Sequence, residues 1–193
     1  VDVLSAKYSI FFEPGLTNYD LTGNSTVTLH GSPTVNADGL NINSNSRYAS
    51  FTSEYGGNYT AAMWVKYNSS NGDYKYILRG GVDNLLNQTG TTTYVLGRNS
   101  ANTEDAYISK WSSSFVYNQW THMVIRVDSN GGKLYVNGVN IASNTNWKTH
   151  SITSRTTYIG SNDSNGAPRA NIKSLNIWER ALSENEITEL YNI

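Results

Sequence analysis

Alternating apolar and polar residues recur in short runs along most of the chain. The clearest runs lie near the middle, where Trp120–Asp128 alternates with a period of two and residues 133–136 repeat the pattern after a glycine-containing segment. Successive side chains of a β-strand point to opposite faces, so this period predicts two strands. The dipeptide Asn137-Gly138 then predicts a tight turn with positive φ at both positions. The sequence therefore predicts two consecutive β-hairpins.

Similar alternation, bounded by glycine, proline and polar breaks, predicts strands on both sides of these hairpins. They lie at residues 4–12, 26–30, 40–42, 48–51, 59–67, 74–79, 92–96, 106–111, 139–142, 156–160 and 171–180. Residues 83–90 are polar, which predicts a connection rather than a core strand. Between residues 172 and 175 the alternation changes phase, which predicts a β-bulge in the last strand.

One short helix is predicted at the C-terminal end. Ser183 and Glu186 have the spacing of a capping box, and Ile187, Leu190 and Tyr191 then lie three and four residues apart. With no helical period before Ser183, the fold class is all-β. We expect a two-sheet antiparallel jelly-roll sandwich with one short C-terminal helix, in a single domain covering residues 1–193.

Four segments, in order, resemble the laminin-G-like jelly-roll family of the concanavalin A-like lectin/glucanase superfamily. They are AAMWVK at residues 61–66, the W-x-H strand at Trp120, LYVNG at residues 134–138, and the closing IKSLNIWERALSENEITELY from Ile172. The resemblance implies that Trp64, Trp120 and Trp178 pack in the core. It also implies a structural role for Arg180 in the ERALS corner, as a tie from the last strand to a carboxylate or to backbone carbonyls.

The resemblance further implies a calcium site, which is the commonest metal feature of the family. Residues 20–24 are similar to the family's early loop, so Asp20 and Asn24 are the candidate Ca²⁺ ligands. Alternatively, Asp20 forms an Asx-turn and Asn24 adopts a left-handed conformation. Relatives often have acidic residues in the last strand where this chain has Lys173 and Ser174, which weighs against calcium.

Composition excludes several classes of partner and chemistry. The formal net charge is -1 and charged residues make up 15%, so no electrostatic footprint for nucleic acid or an anionic membrane is present. Zero cysteines exclude disulfides, thiol catalysis and cysteine-bound zinc. The sequence contains no run of 18 apolar residues and no charged-then-apolar leader, so we expect neither membrane insertion nor a retained signal peptide.

Catalytic groups are not evident in the sequence. The glycosidases of this superfamily present clustered carboxylates on one strand, and no E-x-D-x-x-E run occurs here. Glu184, Glu186 and Glu189 lie on the predicted helix, where capping and the helix dipole account for them. The three histidines have no metal-ligand spacing. We expect the protein not to be an enzyme.

Sugar binding requires flat apolar faces flanked by amides and hydroxyls. Trp111 and Trp147 lie among polar residues at or beside predicted loops, which predicts exposed aromatic side chains. Neighbouring polar stretches and tyrosines complete the predicted binding rim: Tyr55, Tyr107, Tyr117, Asn146, Asn162, Asp163 and Arg169. The alternative for each residue is a surface side chain that covers the sandwich edge or lies in a subunit contact.

The sequence therefore predicts a non-catalytic, lectin-like carbohydrate-binding module. Its expected partner is a glycan or cell-surface polysaccharide, and its expected location is extracellular, at a cell surface or on a virion surface. A second hypothesis is a structural or adhesive surface module with protein partners in a larger assembly, such as virion or tail-fibre decoration or an adhesin. A glycoside hydrolase is a third hypothesis with less support.

Overall fold

Residues 5–44, 46–68, 75–80, 83–89, 92–97, 106–111, 116–147, 149, 152–160 and 169–193 are described by a computed structural model. In these ranges the chain forms strands β1 (Tyr8–Phe11), β2 (Thr28–His30), β3 (Thr34–Asn36), β4 (Gly39–Ile42), β5 (Tyr48–Tyr55), β6 (Tyr59–Tyr67), β7 (Lys75–Gly80), β8 (Asp83–Thr89), β9 (Thr92–Gly97), β10 (Ala106–Trp111), β11 (Trp120–Asp128), β12 (Gly131–Val136), β13 (Val139–Asn144), β14 (Thr153–Ile159) and β15 (Ala170–Trp178), followed by helix α1 (Glu184–Tyr191).

The strands form two antiparallel sheets that pack face to face. The front sheet has the order β13-β12-β11-β6-β15-β4-β3, with β1 also paired to β15. The back sheet has the order β10-β9-β8-β7-β14-β5-β2. Two antiparallel sheets with one C-terminal helix confirm the predicted jelly-roll sandwich.

The two predicted hairpins form one end of the front sheet, with β13 as its edge strand. Strand β11 pairs with β6 on one side and with β12 on the other, and β12 continues into β13. Asn137 and Gly138 have φ of 50° and 79°, as the turn between β12 and β13 requires. Met123, Ile125 and Val127 point into the sandwich and are buried.

The predicted bulge is present in β15. The register with β6 shifts between Ile172 and Ser174, so Lys173 is the extra residue. Its carbonyl accepts a hydrogen bond from the Phe12 amide at 3.0 Å. The shift lets both Ile172 and Leu175 reach the core, although they are three residues apart.

Apolar residues form two cores. The larger lies between the sheets and includes Ile10, Tyr59, Met63 and Ile125. The smaller lies on the outer face of the front sheet, under α1, and consists of Ala6, Ala62, Val124, Tyr135, Trp178, Leu182, Ile187 and Leu190. Trp178 thus packs in a core as predicted, but in the one beneath the helix.

The corner before α1 is tied to the front sheet through a buried hydroxyl. Thr60 Oγ1 donates to the Arg180 carbonyl and accepts from the Leu182 amide, each at 2.9 Å. Arg180 also binds the Glu186 carboxylate through both terminal nitrogens, which confirms its structural role. The capping box is confirmed, because Ser183 and Glu186 each accept from the other's backbone amide.

Two strands were missed by the sequence patterns. Residues 83–89 form β8, which pairs with β7 and β9, so the prediction of a connection is wrong. Its only apolar residues, Leu85 and Leu86, are adjacent and give no alternation, whereas backbone pairing does not depend on side-chain polarity. Strand β3 has three residues, too few to show a period.

Candidate functional site

A cavity of about 450 Å³ opens on the outer face of the front sheet beside the C-terminal end of α1. We call it the tryptophan cavity. Strands β1, β6, β11 and β15 supply its floor, and residues at the end of the chain supply one wall. The lining residues are Phe11, Ala62, Trp64, Trp120, His122, Lys173, Ser174, Asn176, Leu190 and Ile193.

Strand register brings the floor residues together. Trp64 on β6 lies opposite His122 on β11 and opposite Ser174 on β15, and Phe11 on β1 lies opposite Ser174. Phe11, Ser174, Trp64 and His122 therefore form one row across four adjacent strands. The β15 bulge places Ser174 in this row, because an uninterrupted register would put Lys173 opposite Trp64 instead.

Aromatic rings form the apolar part of the cavity. The Trp64 ring lies 4.9 Å from the His122 ring and 6.0 Å from the Tyr191 ring of α1, measured between centroids. Trp120 lies beside this group, and Lys66 Nζ is 5.1 Å from its ring centroid. Both tryptophans are half-buried, so each is held by neighbours yet keeps part of its surface open to a ligand.

Burial controls the charge of His122. The side chain is 3% exposed, and desolvation lowers the pKa of the imidazole to about 4. The ring is therefore neutral near pH 7. Its Nδ1 atom is buried without a hydrogen-bond partner in the described part of the chain. The imidazole therefore packs within the sheet as a neutral group.

Polar groups line one side of the cavity. Asn176 Oδ1 accepts a hydrogen bond from Ser9 Oγ at 2.8 Å, which leaves the Nδ2 group of this amide to donate to a ligand. Ser174 contributes a hydroxyl, and Lys173 contributes an ammonium group at an exposed position. The described part of the lining includes no Asp or Glu side chain, so it contains no carboxylate pair of the kind that glycoside hydrolysis requires.

A family model described as the concanavalin A-like lectin/glucanases superfamily, of laminin G type, matches residues 36–188. The chain belongs to this superfamily. The matched region contains the front-sheet hairpins, the β15 bulge and most of α1. Both the two-sheet architecture and the predicted family are thereby confirmed.

Solved structures with the same fold belong to larger proteins. The receptor-binding domain of botulinum neurotoxin C/D mosaic serotype is 19% identical, with a TM-score of 0.77, and the match covers 98% of this chain and 51% of that one. The botulinum neurotoxin serotype D ligand-binding domain, in complex with N-acetylneuraminic acid, is 17% identical with a TM-score of 0.76, over 98% and 51%. Trypanosoma rangeli sialidase, in complex with sialic acid, is 16% identical with a TM-score of 0.76, over 95% and 32%.

This superfamily member thus spans about half the length of the toxin domains and a third of the sialidase. At these identities the similarity establishes the fold. No curated protein sequence matches the chain. In the described residues, no helix is long and apolar enough to cross a membrane.

The predicted binding rim does not coincide with the tryptophan cavity. Trp147 is 0% exposed and packs in the larger core, so the prediction that it is an exposed aromatic is wrong. Tyr55 is also 0% exposed, and Tyr117 is half-buried against that core. The polar setting of Trp147 in sequence gave no sign that its loop folds inward.

The remaining rim residues stay predictions. Asn146 is exposed, and its amide donates to Asn144 Oδ1 at 2.8 Å in a local turn. Arg169 is exposed just before β15. Tyr107 and Trp111 lie on β10, whose side chains are outside the described part of the structure, and Asn162 and Asp163 lie outside the described residues.

Trp64 and Trp120 were expected in the core, and that expectation is wrong for both. Their positions in β6 and β11 have the opposite phase from the inward-facing Met63 and Met123, so they project from the outer face. Sequence patterns contained this signal: a large aromatic residue at an outward position on two neighbouring central strands. The resemblance to the family pointed the other way, because both residues match core positions of that family.

The candidate calcium ligands are engaged in local hydrogen bonds. Asp20 is 3% exposed, and its carboxylate accepts from the Ser9 and Ser25 amides and from the amide and hydroxyl of Thr22. Asn24 Nδ2 donates to the Lys7 carbonyl at 2.7 Å. Asp20 forms the Asx-turn of the alternative hypothesis. The left-handed residue of this loop is Gly23, with φ 73°, so the alternative is wrong for Asn24.

This loop does not fit a calcium site as it stands. Ca²⁺ takes six to eight oxygen ligands, whereas Asp20 already accepts hydrogen bonds with both oxygens and Asn24 presents a donor to the backbone. Within the described ranges, no group of three or more His, Cys, Asp and Glu residues could hold a metal ion. Calcium binding here stays a prediction, and it would require Asp20 to give up these hydrogen bonds.

Proposed function

We propose that the protein is a non-catalytic carbohydrate-recognition module and that it binds a sugar ring in the tryptophan cavity. The single observation that carries the proposal is that two half-buried tryptophans, Trp64 and Trp120, line the same cavity as hydroxyl and amide groups. Pyranose rings present an apolar C–H face and a rim of hydroxyls, so they match a flat aromatic surface beside hydrogen-bonding groups.

The size of the cavity supports a small-molecule ligand. Its volume of about 450 Å³ falls within the roughly 300–1,000 Å³ typical of ligand pockets. It is built on strands rather than loops, which holds the rings at fixed positions. His122 contributes a neutral polar ring that packs against Trp64.

Two further considerations support the proposal. The superfamily contains lectins as well as glucanases, and two of the structurally similar proteins are described in complex with N-acetylneuraminic acid or sialic acid. The absence of Asp and Glu among the cavity-lining residues that the structure describes favours recognition over hydrolysis at this site. By analogy with the toxin receptor-binding domains, we place the protein outside the cytoplasm, with a glycan as its partner.

The test is a glycan array followed by isothermal titration calorimetry with the full chain. We expect Trp64→Ala and Trp120→Ala to weaken binding at least about ten-fold, because each removes one aromatic face. Tyr158→Ala is the matched control, since Tyr158 is a half-buried aromatic on the outer face of the back sheet. Circular dichroism and thermal unfolding verify that each variant is folded.

The competing hypotheses give different outcomes. Binding that both cavity variants retain, or no binding to any glycan, would contradict the proposal. In the second case a structural or adhesive role with protein partners would be the better account. Turnover of a polysaccharide that stops on replacing a single carboxylate would instead establish a hydrolase.

A further inference from the structure

The charge of the tryptophan cavity distinguishes between classes of sugar. Among the described residues that line it, Lys173 is the one with a charged side chain near pH 7. Cavity-lining His122 adds no charge near pH 7, because burial lowers the pKa of its imidazole to about 4. Among the described lining side chains, the charge is therefore positive at Lys173 and zero elsewhere near pH 7.

Lys173 also differs from the other lysines whose side chains are described. Lys7, Lys66 and Lys133 each form an ion pair, with Glu179, Asp38 and Glu184 respectively, at 2.8–3.0 Å. Lys173 makes no ion pair and no side-chain hydrogen bond within the described part of the chain. An unpaired ammonium group beside an apolar cavity is available to an anionic ligand.

The backbone fixes the position of this lysine. Lys173 is the extra residue of the β15 bulge, and its carbonyl accepts from the Phe12 amide of the neighbouring segment. Bulges commonly re-aim side chains beside functional sites. Next to it, Ser174 lies opposite Trp64, so the ammonium group and the aromatic floor belong to adjacent positions of one sheet.

We infer that the tryptophan cavity selects a sugar that carries an anionic group, with the pyranose face on Trp64 and Trp120 and the anion at Lys173. This inference rests on the proposed function and narrows its ligand class. A carboxylate and a sulfate ester share the chemistry that an ammonium group recognises. A uronic or nonulosonic acid and a sulfated sugar are therefore the two sources to distinguish.

The test uses acidic and neutral probes with a common core. Calorimetry or NMR titration of the full chain compares lactose, 3′-sialyllactose and lactose 3′-sulfate, and trigalacturonic acid with its methyl ester. We expect at least one acidic probe to bind at least about ten-fold more tightly than its neutral counterpart, as a charge-assisted contact predicts. Added NaCl should reduce this preference, since the lysine is exposed.

Two lysine variants isolate the charge. Lys173→Gln should remove the acidic preference, because it should weaken binding of the acidic probe at least about ten-fold more than binding of the neutral probe. Lys133→Gln is the matched control, because Lys133 is another partly exposed front-sheet lysine but is paired with Glu184 outside the cavity. It should leave the preference intact.

The outcomes separate this inference from the proposed function. Equal affinities for acidic and neutral probes would overturn the inference, and so would an acidic preference that survives Lys173→Gln. The proposed function would still stand in either case if Trp120→Ala abolished binding. Failure to bind any probe, or binding that Trp120→Ala does not affect, would overturn both. The ratio between the sialylated and sulfated lactose affinities identifies the anion.

Discussion

His122 gives a quantitative prediction about acid sensitivity. The histidine is 3% exposed beneath Trp64 and Tyr191, and burial lowers the pKa of its imidazole from 6.5 to about 4. A histidine whose pKa is lower in the folded state stabilises the fold less as pH falls, because the unfolded chain takes up the proton first. The loss therefore begins near pH 6.5 and is complete below about pH 4.

The magnitude follows from the size of that shift. Each pKa unit corresponds to about 1.4 kcal/mol, so the lowered pKa of the buried imidazole corresponds to a loss of about 3 kcal/mol in the free energy of unfolding. Other groups titrate over the same range, so the relevant quantity is the difference between wild type and His122→Phe. Phenylalanine keeps an aromatic ring against Trp64 and removes the titration.

Urea denaturation of both proteins from pH 4 to pH 8 measures this difference. We expect the wild type to lose about 3 kcal/mol more than His122→Phe between the two ends of the range. Parallel stability curves for the two proteins would show that burial does not hold the imidazole neutral. They would also remove the basis for treating His122 as an uncharged part of the cavity floor.

Four further predictions concern the framework. Thr60→Val should lower the free energy of unfolding by about 2–4 kcal/mol in chemical denaturation, since the Arg180 carbonyl and the buried Leu182 amide each lose a partner; an unchanged midpoint would contradict this. Asp20→Asn should destabilise by about 1–3 kcal/mol, because an amide group would face backbone donors. Millimolar calcium should leave the wild-type melting temperature unchanged, and a rise that is lost in Asp20→Asn would show that Asp20 binds the ion. The hydrogen bonds from Arg180 lower the pKa of Glu186 from 4.5 to about 2. The contribution of Glu186 to the free energy of unfolding should therefore be lost as pH falls from about 4.5 towards 2. Glu186→Gln should flatten that part of the curve of stability against pH.

Local patterns were sufficient to predict much of the front sheet. The alternation in β11, the Asn137-Gly138 turn, the phase change in β15 and the capping box at Ser183 each depend on neighbouring residues alone. Such features are visible in a single sequence because their physical cause is local. By contrast, β8 is held by backbone pairing to two other strands, and its polar sequence has no period.

The candidate site depends on contacts between distant parts of the chain. Phe11, Trp64, His122 and Ser174 meet only because β1, β6, β11 and β15 are neighbours in a sheet whose order differs from the chain order. Trp147 illustrates the opposite case, since a polar local setting predicted exposure while long-range packing buries the ring completely. The alternation in β6 gives Trp64 the opposite phase from the inward-facing Met63, but only the fold shows which outward residues form a cavity.

The most direct test of the central claim follows the tryptophan indole N–H signals by ¹⁵N NMR during titration with a glycan that binds. Five tryptophans give five such signals, and single substitutions assign them. We predict that the signals of Trp64 and Trp120 shift most, while those of the buried Trp147 and Trp178 stay in place. A titration in which Trp111 shifts and the two cavity signals do not would contradict the account and place binding at the predicted rim.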